Sequence, residues 1–253
     1  MNLLDVQSVT KSFGGVLAVD DVSFSIKTEE ITALIGPNGA GKTTLFNIIS
    51  GVYPPSTGEV IFKGQSTLGV KANKVAALGI ARTFQNLQVF GNMTVVENVM
   101  VGRHIRTNTG LLSAAIRSPL SRSEDQDTRL YAMNMLNEVG LSYLAEQPAA
   151  TLPFGQQRLL EVARAMAVEP GLLLLDEPVA GLTGGETREL EKLIMRLKEQ
   201  GTSILLVEHD MDTVMNLADN IIVLDFGKKI AEGPPDIIQQ DPLVIAAYLG
   251  EEQ

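Results

Sequence analysis

Residues 36–43 read Gly-Pro-Asn-Gly-Ala-Gly-Lys-Thr, and this run constrains the fold more than any other stretch of the chain. A short apolar run, ITALI, precedes it and has the composition of a buried strand. A helical pattern, KTTLFNIIS, follows and is closed by Gly51. A G-x-x-x-x-G-K-[ST] run between a strand and a helix is suited to wrapping a phosphate. Its glycines let the backbone curl so that several N–H groups and the helix N-terminus point inward. Lys42 would neutralise the β- and γ-phosphates of a nucleotide, and the Thr43 hydroxyl would sit on Mg²⁺. Gly36, Pro37, Asn38, Gly39, Ala40, Gly41 and Thr44 complete the predicted cradle. The chain is therefore expected to bind a nucleoside triphosphate, with ATP and Mg²⁺ as the pair to test.

Such a site needs a second strand that ends in a carboxylate. GLLLLDEP supplies one: four leucines suit a central strand covered on both faces, and Asp176 and Glu177 follow at its tip. Asp176 is placed to hold the magnesium shell, and Glu177 to take a proton from an attacking water. After residue 156 the pattern alternates between helix and strand: QQRLLEVARAMAV, GLLLLDE, TRELEKLIMRLKEQG, TSILLVEH. Short apolar strands separated by helices of this length imply parallel βαβ units. A hairpin, NIIVLDFGKKIAEG, and a helical tail close the chain.

The first sixty residues are strand-rich, while residues 94–147 read as mostly helical, with Thr94 and Asp127 as caps and Gly140 as a stop. A less regular insert, RTNTGLLSAAIRSPLSRSEDQ, interrupts that region. One unit over residues 1–253 is expected, with a helical subdomain inserted at about residues 86–165.

The net charge of −10 argues against holding nucleic acid by counterion release. The chain has no cysteine, which removes disulfides and thiolate metal sites. It shows neither a run of apolar residues long enough to span a membrane nor a signal-peptide start. These features predict a cytoplasmic protein whose membrane role, if any, comes through a partner.

The ordered set of motifs resembles the nucleotide-binding subunits of ATP-binding-cassette (ABC) systems. The phosphate loop, Gln85 in ARTFQ, the LPFGQQR run, LLLLDEP and His209 in LLVEHD stand in that family's order, and the likeness covers essentially the whole chain. The resemblance implies an α/β fold: a P-loop NTPase (RecA-like) core with an antiparallel β subdomain and an inserted α-helical subdomain. It also implies two subunits closing head to tail over two ATP molecules, each ATP lying between one phosphate loop and the other subunit's signature helix. Phe13 matches the aromatic that stacks on adenine, although a strand aromatic buried for packing is the competing reading. Gln85 matches the residue that reaches the magnesium and reports to the helical lobe. His209 matches the switch histidine near the γ-phosphate. His104 receives no role.

Two departures stand out. The family's signature is usually Leu-Ser-Gly-Gly-Gln; here Leu152, Gly155 and Gln156 match, but Pro153 replaces the serine and Phe154 the first glycine. Proline is tolerated in a helix's first turn, so the N–H groups of Gly155 and Gln156 are left to face a partner's phosphate. The lost hydroxyl should weaken closure by about 0.5–1.5 kcal/mol per site. In AGLTGGE, Thr183 stands where the family often has an aspartate that couples the two sites.

The EPVAGLTGGET segment, the RHIRTNTGLLSAAIRSP insert and the ending GPPDIIQQDPLVIAAYLGEE resemble the ATP-binding subunits of branched-chain amino-acid importers. The partners implied are a second ATPase subunit (a sister chain or a second copy), transmembrane permease subunits and, indirectly, a solute-binding protein. The implied location is the inner face of the cell membrane, held peripherally. Amide or urea import, lipopolysaccharide export and a non-transport ABC ATPase are the alternative readings. The single cassette and acidic charge argue against the last of these.

Overall fold

Two sheets organise the chain, and the side-chain pattern of each gives the reason. In this computed structural model residues 1–83, 88–104 and 119–249 are described. Strands β1 (Asn2–Phe13) and β2 (Val16–Lys27) form a long hairpin across Gly14-Gly15. With β4 (Thr57–Phe62) and β5 (Gln65–Ser66) they make an antiparallel sheet in the order β2-β1-β4-β5. Leu4, Val6, Val22, Phe24, Ile26, Val60 and Phe62 recur at alternate positions and are buried together on one face.

The second sheet has six strands in the order β10-β9-β3-β8-β7-β6. They are β3 (Ile31–Ile35), β6 (Ile80–Arg82), β7 (Leu172–Asp176), β8 (Ser203–Val207), β9 (Asn220–Asp225) and β10 (Lys228–Gly233). All neighbours pair in parallel except the β9–β10 hairpin at the edge. Every residue of β3, β7 and β8 is buried, which is why these strands read as near-continuous apolar runs: both faces are covered. Leu34, Leu174, Leu205 and Ile222 point into the core shared with the antiparallel sheet and with α1 (Lys42–Ile49). Ile35, Leu173, Leu206 and Val223 point into the other core. There they meet α5 (Phe154–Met166) and α6 (Gly184–Glu199), the latter through Leu190, Leu193, Ile194 and Leu197 at helical spacing.

Helix α2 (Ala72–Leu78) precedes β6. Between β6 and β7 the described residues form α3 (Val95–Arg103), α4 (Pro119–Glu138), two 3₁₀ turns (Ser142–Leu144 and Ala149–Thr151) and α5. Thr94 caps α3 as expected, in a reciprocal box with Glu97. Asp127 caps nothing: it is exposed inside α4, which begins at Pro119. Gln85 and residues 105–118 of the insert lie outside the described residues. Helices α7 (Met211–Leu217), α8 (Pro235–Ile238) and α9 (Pro242–Leu249) complete the chain. Among the described residues no helix is long and apolar enough to cross a membrane.

Parallel register places the functional ends side by side. Leu34 of β3 and Asp176 of β7 both pair with Val207 of β8. Gly36, Glu177, Glu208 and His209 therefore emerge from three adjacent strands at their carboxyl ends, where open α/β sheets bind ligands.

Candidate active site

The phosphate loop leaves β3 through Gly36, whose φ is +145°. A Cβ there would lie 2.0 Å from the Leu224 carbonyl oxygen of β9. At the other end Gly41 has φ +100°, and a Cβ would lie 2.3 Å from the Ala18 carbonyl oxygen of β2. Both obstacles are backbone, so the chain can pass only as glycine. The β9–β10 turn staples the loop in place: the Gly227 N–H donates to the Ala40 carbonyl at 3.0 Å, and the Asp20 N–H donates to the Gly227 carbonyl at 2.8 Å. Lys42 Nζ donates to the carbonyls of Gly36 (2.5 Å) and Pro37 (2.8 Å), so the ammonium lies across the mouth of the loop. Thr43, Asn38 and Gly39 are exposed, and no side chain caps the first turn of α1. The result is a glycine-shaped loop that ends at an uncapped helix start with one cation across it, suited to a phosphate chain.

Asp176, at the end of β7, is 3% exposed. Burial pushes its carboxyl above the usual range, and Arg82 of β6 opposes that shift. Arg82 Nη2 lies 2.9 Å from Asp176 Oδ2, while its Nη1 donates to Asn47 Oδ1 (2.5 Å) and Ser50 Oγ (3.2 Å) of the α1 region. The guanidinium also lies 4.9 Å from the centre of the Phe46 ring. The Asp176 carboxylate and the Thr43 hydroxyl are hard oxygen donors of the type Mg²⁺ takes. Among the described residues no cluster of three or more His, Cys, Asp or Glu could hold a metal ion.

Glu177 adopts φ +47°, a strained value for a residue with a side chain. Its N–H donates to the Val207 carbonyl at 2.9 Å. His209 Nδ1 lies 3.9 Å from Glu177 Oε2, and the imidazole is largely exposed. A carboxylate and an imidazole thus stand together beside the phosphate loop, the arrangement needed to activate and orient a water.

Phe13 ends β1 with 42% of its surface exposed, which removes the buried-aromatic reading. Its ring meets Tyr53 edge-on at 5.5 Å, and Lys11 Nζ sits 5.1 Å and 5.9 Å from the two ring centres. The pair forms an open aromatic platform on the antiparallel sheet.

Pro153 is the N-cap of α5 and makes no side-chain cap. Its carbonyl accepts the first helical bond, from Gln157 N–H at 3.0 Å. Phe154 fills the glycine position by leaning on two neighbours. Its ring would be 3.2 Å from a Cβ on Gly181, and the buried Arg158 guanidinium lies 5.7 Å from its centre. Arg158 in turn bonds Glu161 Oε2 at 3.1 Å, a pair with almost no solvent access. Thr183 caps α6 by accepting the Glu186 N–H at 3.4 Å, while its own N–H and hydroxyl donate to Glu186 Oε2 at 2.8 Å and 2.7 Å. The other oxygen of Glu186 lies against Gly155, where a Cβ would be 2.3 Å away.

The structure brings Gly36, Asp176, Glu177 and His209 to neighbouring strand ends, opens α1 with Lys42 and Thr43 at the end of the phosphate loop, and sets Phe13 on the other sheet. Sequence reading passed over Arg82, Tyr53, Arg158 and Glu208. The single clue to Arg82 and Glu208 was a charged residue at the end of an apolar strand.

The chain is similar to known proteins over nearly its whole length. A family model described as ABC transporter matches residues 19–180, and one described as Branched-chain amino acid ATP-binding cassette transporter matches residues 228–253. The chain is 43% identical to the high-affinity branched-chain amino acid transport ATP-binding protein BraF of Pseudomonas aeruginosa, over 98% of both chains. It has the same identity and coverage with LivG, the protein of that description from Escherichia coli K12. A crystal structure of the ADP conformation of an ATP-binding cassette of an ABC transporter superposes with a TM-score of 0.86, at 32% identity and over 99% of each chain.

Proposed function

From the chain's membership of the ABC transporter family of ATP-binding subunits, we propose that it hydrolyses ATP to drive uptake of branched-chain amino acids through a separate membrane permease. The observation that carries the site assignment is the register that sets the start of the phosphate loop at Gly36 beside Asp176, Glu177 and His209 at adjacent strand ends. The phosphate loop and Lys42 bind the triphosphate, and the Phe13–Tyr53 platform takes the base. Thr43, Asp176 and Gln85 would hold Mg²⁺, which supplies charge neutralisation at the β- and γ-phosphates. Glu177 accepts the proton of the attacking water, and His209 fixes the γ-phosphate.

The N–H groups of Gly155 and Gln156, in a first turn without a side-chain cap, are offered to the ATP of a second ATPase subunit. That subunit is a sister chain or another copy. Closure of the pair moves the helical lobe, which the permease feels. This mechanism places the chain peripherally on the inner membrane face, with a solute-binding protein acting on the far side.

The test is the solution mass of Glu177→Gln with Mg-ATP, with Mg-ADP and without nucleotide, beside Lys42→Ala. Glu177→Gln should bind ATP, turn over slowly and associate only with ATP, alone or with the sister subunit. Lys42→Ala should lose tight binding. Rapid hydrolysis by Glu177→Gln would show that another group is the base. Failure of the chain to support leucine uptake in permease vesicles would remove the assigned cargo.

A further inference from the structure

We propose that Glu208 is a positioning residue for the hydrolytic step, holding the strained Glu177 and the exposed His209 in one fixed relation; this rests on the function proposed above. Glu208 follows the fully buried strand β8, and only 1% of its surface is exposed. Its Oε1 accepts the Val179 N–H at 3.1 Å, from the loop that follows Glu177. Its Oε2 accepts the N–H groups of His209 (3.0 Å) and Asp210 (3.3 Å), from the loop that follows β8. One buried carboxylate thus ties two catalytic loops together. Burial raises its pKa, and the three backbone donors oppose that rise.

The loop after β7 needs this tie. Glu177 has φ +47°, and such a conformation persists only where its surroundings over-determine it. Its neighbour Pro178 has no N–H, so the donors on either side must anchor the turn. One is the Glu177 N–H on the Val207 carbonyl; the other is the Val179 N–H on Glu208. On the facing loop Asp210 caps α7 through the Thr213 N–H at 2.8 Å, which fixes the far side of His209. With both loops held, Glu177 Oε2 and His209 Nδ1 stay 3.9 Å apart. The hydrogen bonds of the Glu208 carboxylate run to the loops after β7 and β8, so the tie acts on the water side of the site, and triphosphate binding is expected to be spared.

Glu208→Gln tests this, because it keeps the volume but turns one acceptor into a donor facing backbone N–H groups. Glu208→Ala is the second variant. In the assembled transporter both should hold Mg-ATP within about twofold of wild type while turnover per bound nucleotide falls by on the order of 10²-fold, with KM little changed. Gln should retain more turnover than Ala. In the purified chain, Mg-ATP should shift the His209 imidazole NMR signal in wild type and not in Glu208→Gln. That signal is resolvable because the chain has two histidines. Equal turnover per bound nucleotide, or an unchanged His209 response, overturns the assignment. So does a parallel loss of binding, turnover and melting temperature, which assigns Glu208 to folding alone. A wild-type chain that binds no Mg-ATP instead overturns the underlying functional reading.

Discussion

Replacing Arg82 with methionine should cost far more than a surface charge would. The guanidinium side chain is 12% exposed and its Asp176 partner 4%, so solvent screens the pair weakly. Breaking a buried pair by removing one partner costs about 3–5 kcal/mol, because the remaining charge loses its compensation. Here Arg82 also serves Asn47, Ser50 and the Phe46 ring, and methionine replaces none of those hydrogen bonds. For a domain of this size each kcal/mol lowers the melting temperature by about 2–4 °C, so Arg82→Met should melt roughly 6–20 °C below wild type without nucleotide. Lysine should recover a part, since a point charge can reach Asp176 but cannot span three partners.

The pH dependence follows from the direction of the Asp176 shift. Burial already raises its folded pKa above the unfolded value, and loss of Arg82 raises it further. A group raised in this way binds a proton on folding, so stability falls as pH rises from the unfolded value to the folded one. The deficit of Arg82→Met should therefore be small in acid and grow towards pH 8. Thermal melts at pH 5 and pH 8, with Asp176→Asn and the double variant, close a cycle whose coupling should reach about 0.5–3 kcal/mol. A drop of less than about 3 °C at pH 8, or additive single effects, would show that the pair is screened and that β6 is not tied to β7 through this charge.

Further outcomes are accessible with the same material. Gly155→Ala should lower the melting temperature in wild type, because the Glu186 carboxylate must leave its cap on Thr183. In a Glu186→Ala background it should raise it, since alanine is the better helix former; the same sign in both backgrounds refutes the contact. Phe13→Ala should weaken ATP binding about 5- to 150-fold, the effect of ~1–3 kcal/mol of base stacking, while leaving inorganic triphosphate affinity unchanged. Equal losses for both ligands would place the base elsewhere. The stability advantage of wild type over Glu208→Gln, from urea unfolding, should shrink as pH rises, because the raised pKa makes the carboxylate costlier once it is ionised. An advantage that grows with pH refutes the direction.

What could be read from the sequence was chemistry that must be contiguous. A phosphate loop needs its glycines, lysine and threonine in one run, and a buried strand ending in acids is readable because both faces demand apolar residues. Arg82 could not be read, since its partners Asp176 and Asn47 come from distant parts of the chain and meet only in the folded sheet. Glu208 was in plain view within LLVEHD. Its hydrogen-bond partners, however, are backbone N–H groups, and no side-chain pattern marks those. Asp127 misled because an acid before an apolar period has the look of a cap, whereas α4 had already begun at Pro119. Phe13 was ambiguous because strand alternation alone does not say whether the last residue of a hairpin arm is still covered by the core; it is not.

The departures at Pro153, Phe154 and Thr183 become intelligible together. Pro153 brings no hydroxyl and Thr183 no carboxylate to the two positions that depart from the family's usual pattern. In their place the contacts turn inward: Phe154 rests on Gly181, and Thr183 and Gly155 share the Glu186 carboxylate. The segment that follows Glu177 is thus fastened at Val179 by Glu208, at Gly181 by Phe154 and at Thr183 by its own helix cap. A displacement of Glu177 must then be passed to the signature turn of the same chain, which under the proposed pairing serves the opposite ATP. Coupling between the two sites would run through side-chain packing within one subunit, and its strength should respond to the volume at residue 154 more than to charge at residue 183.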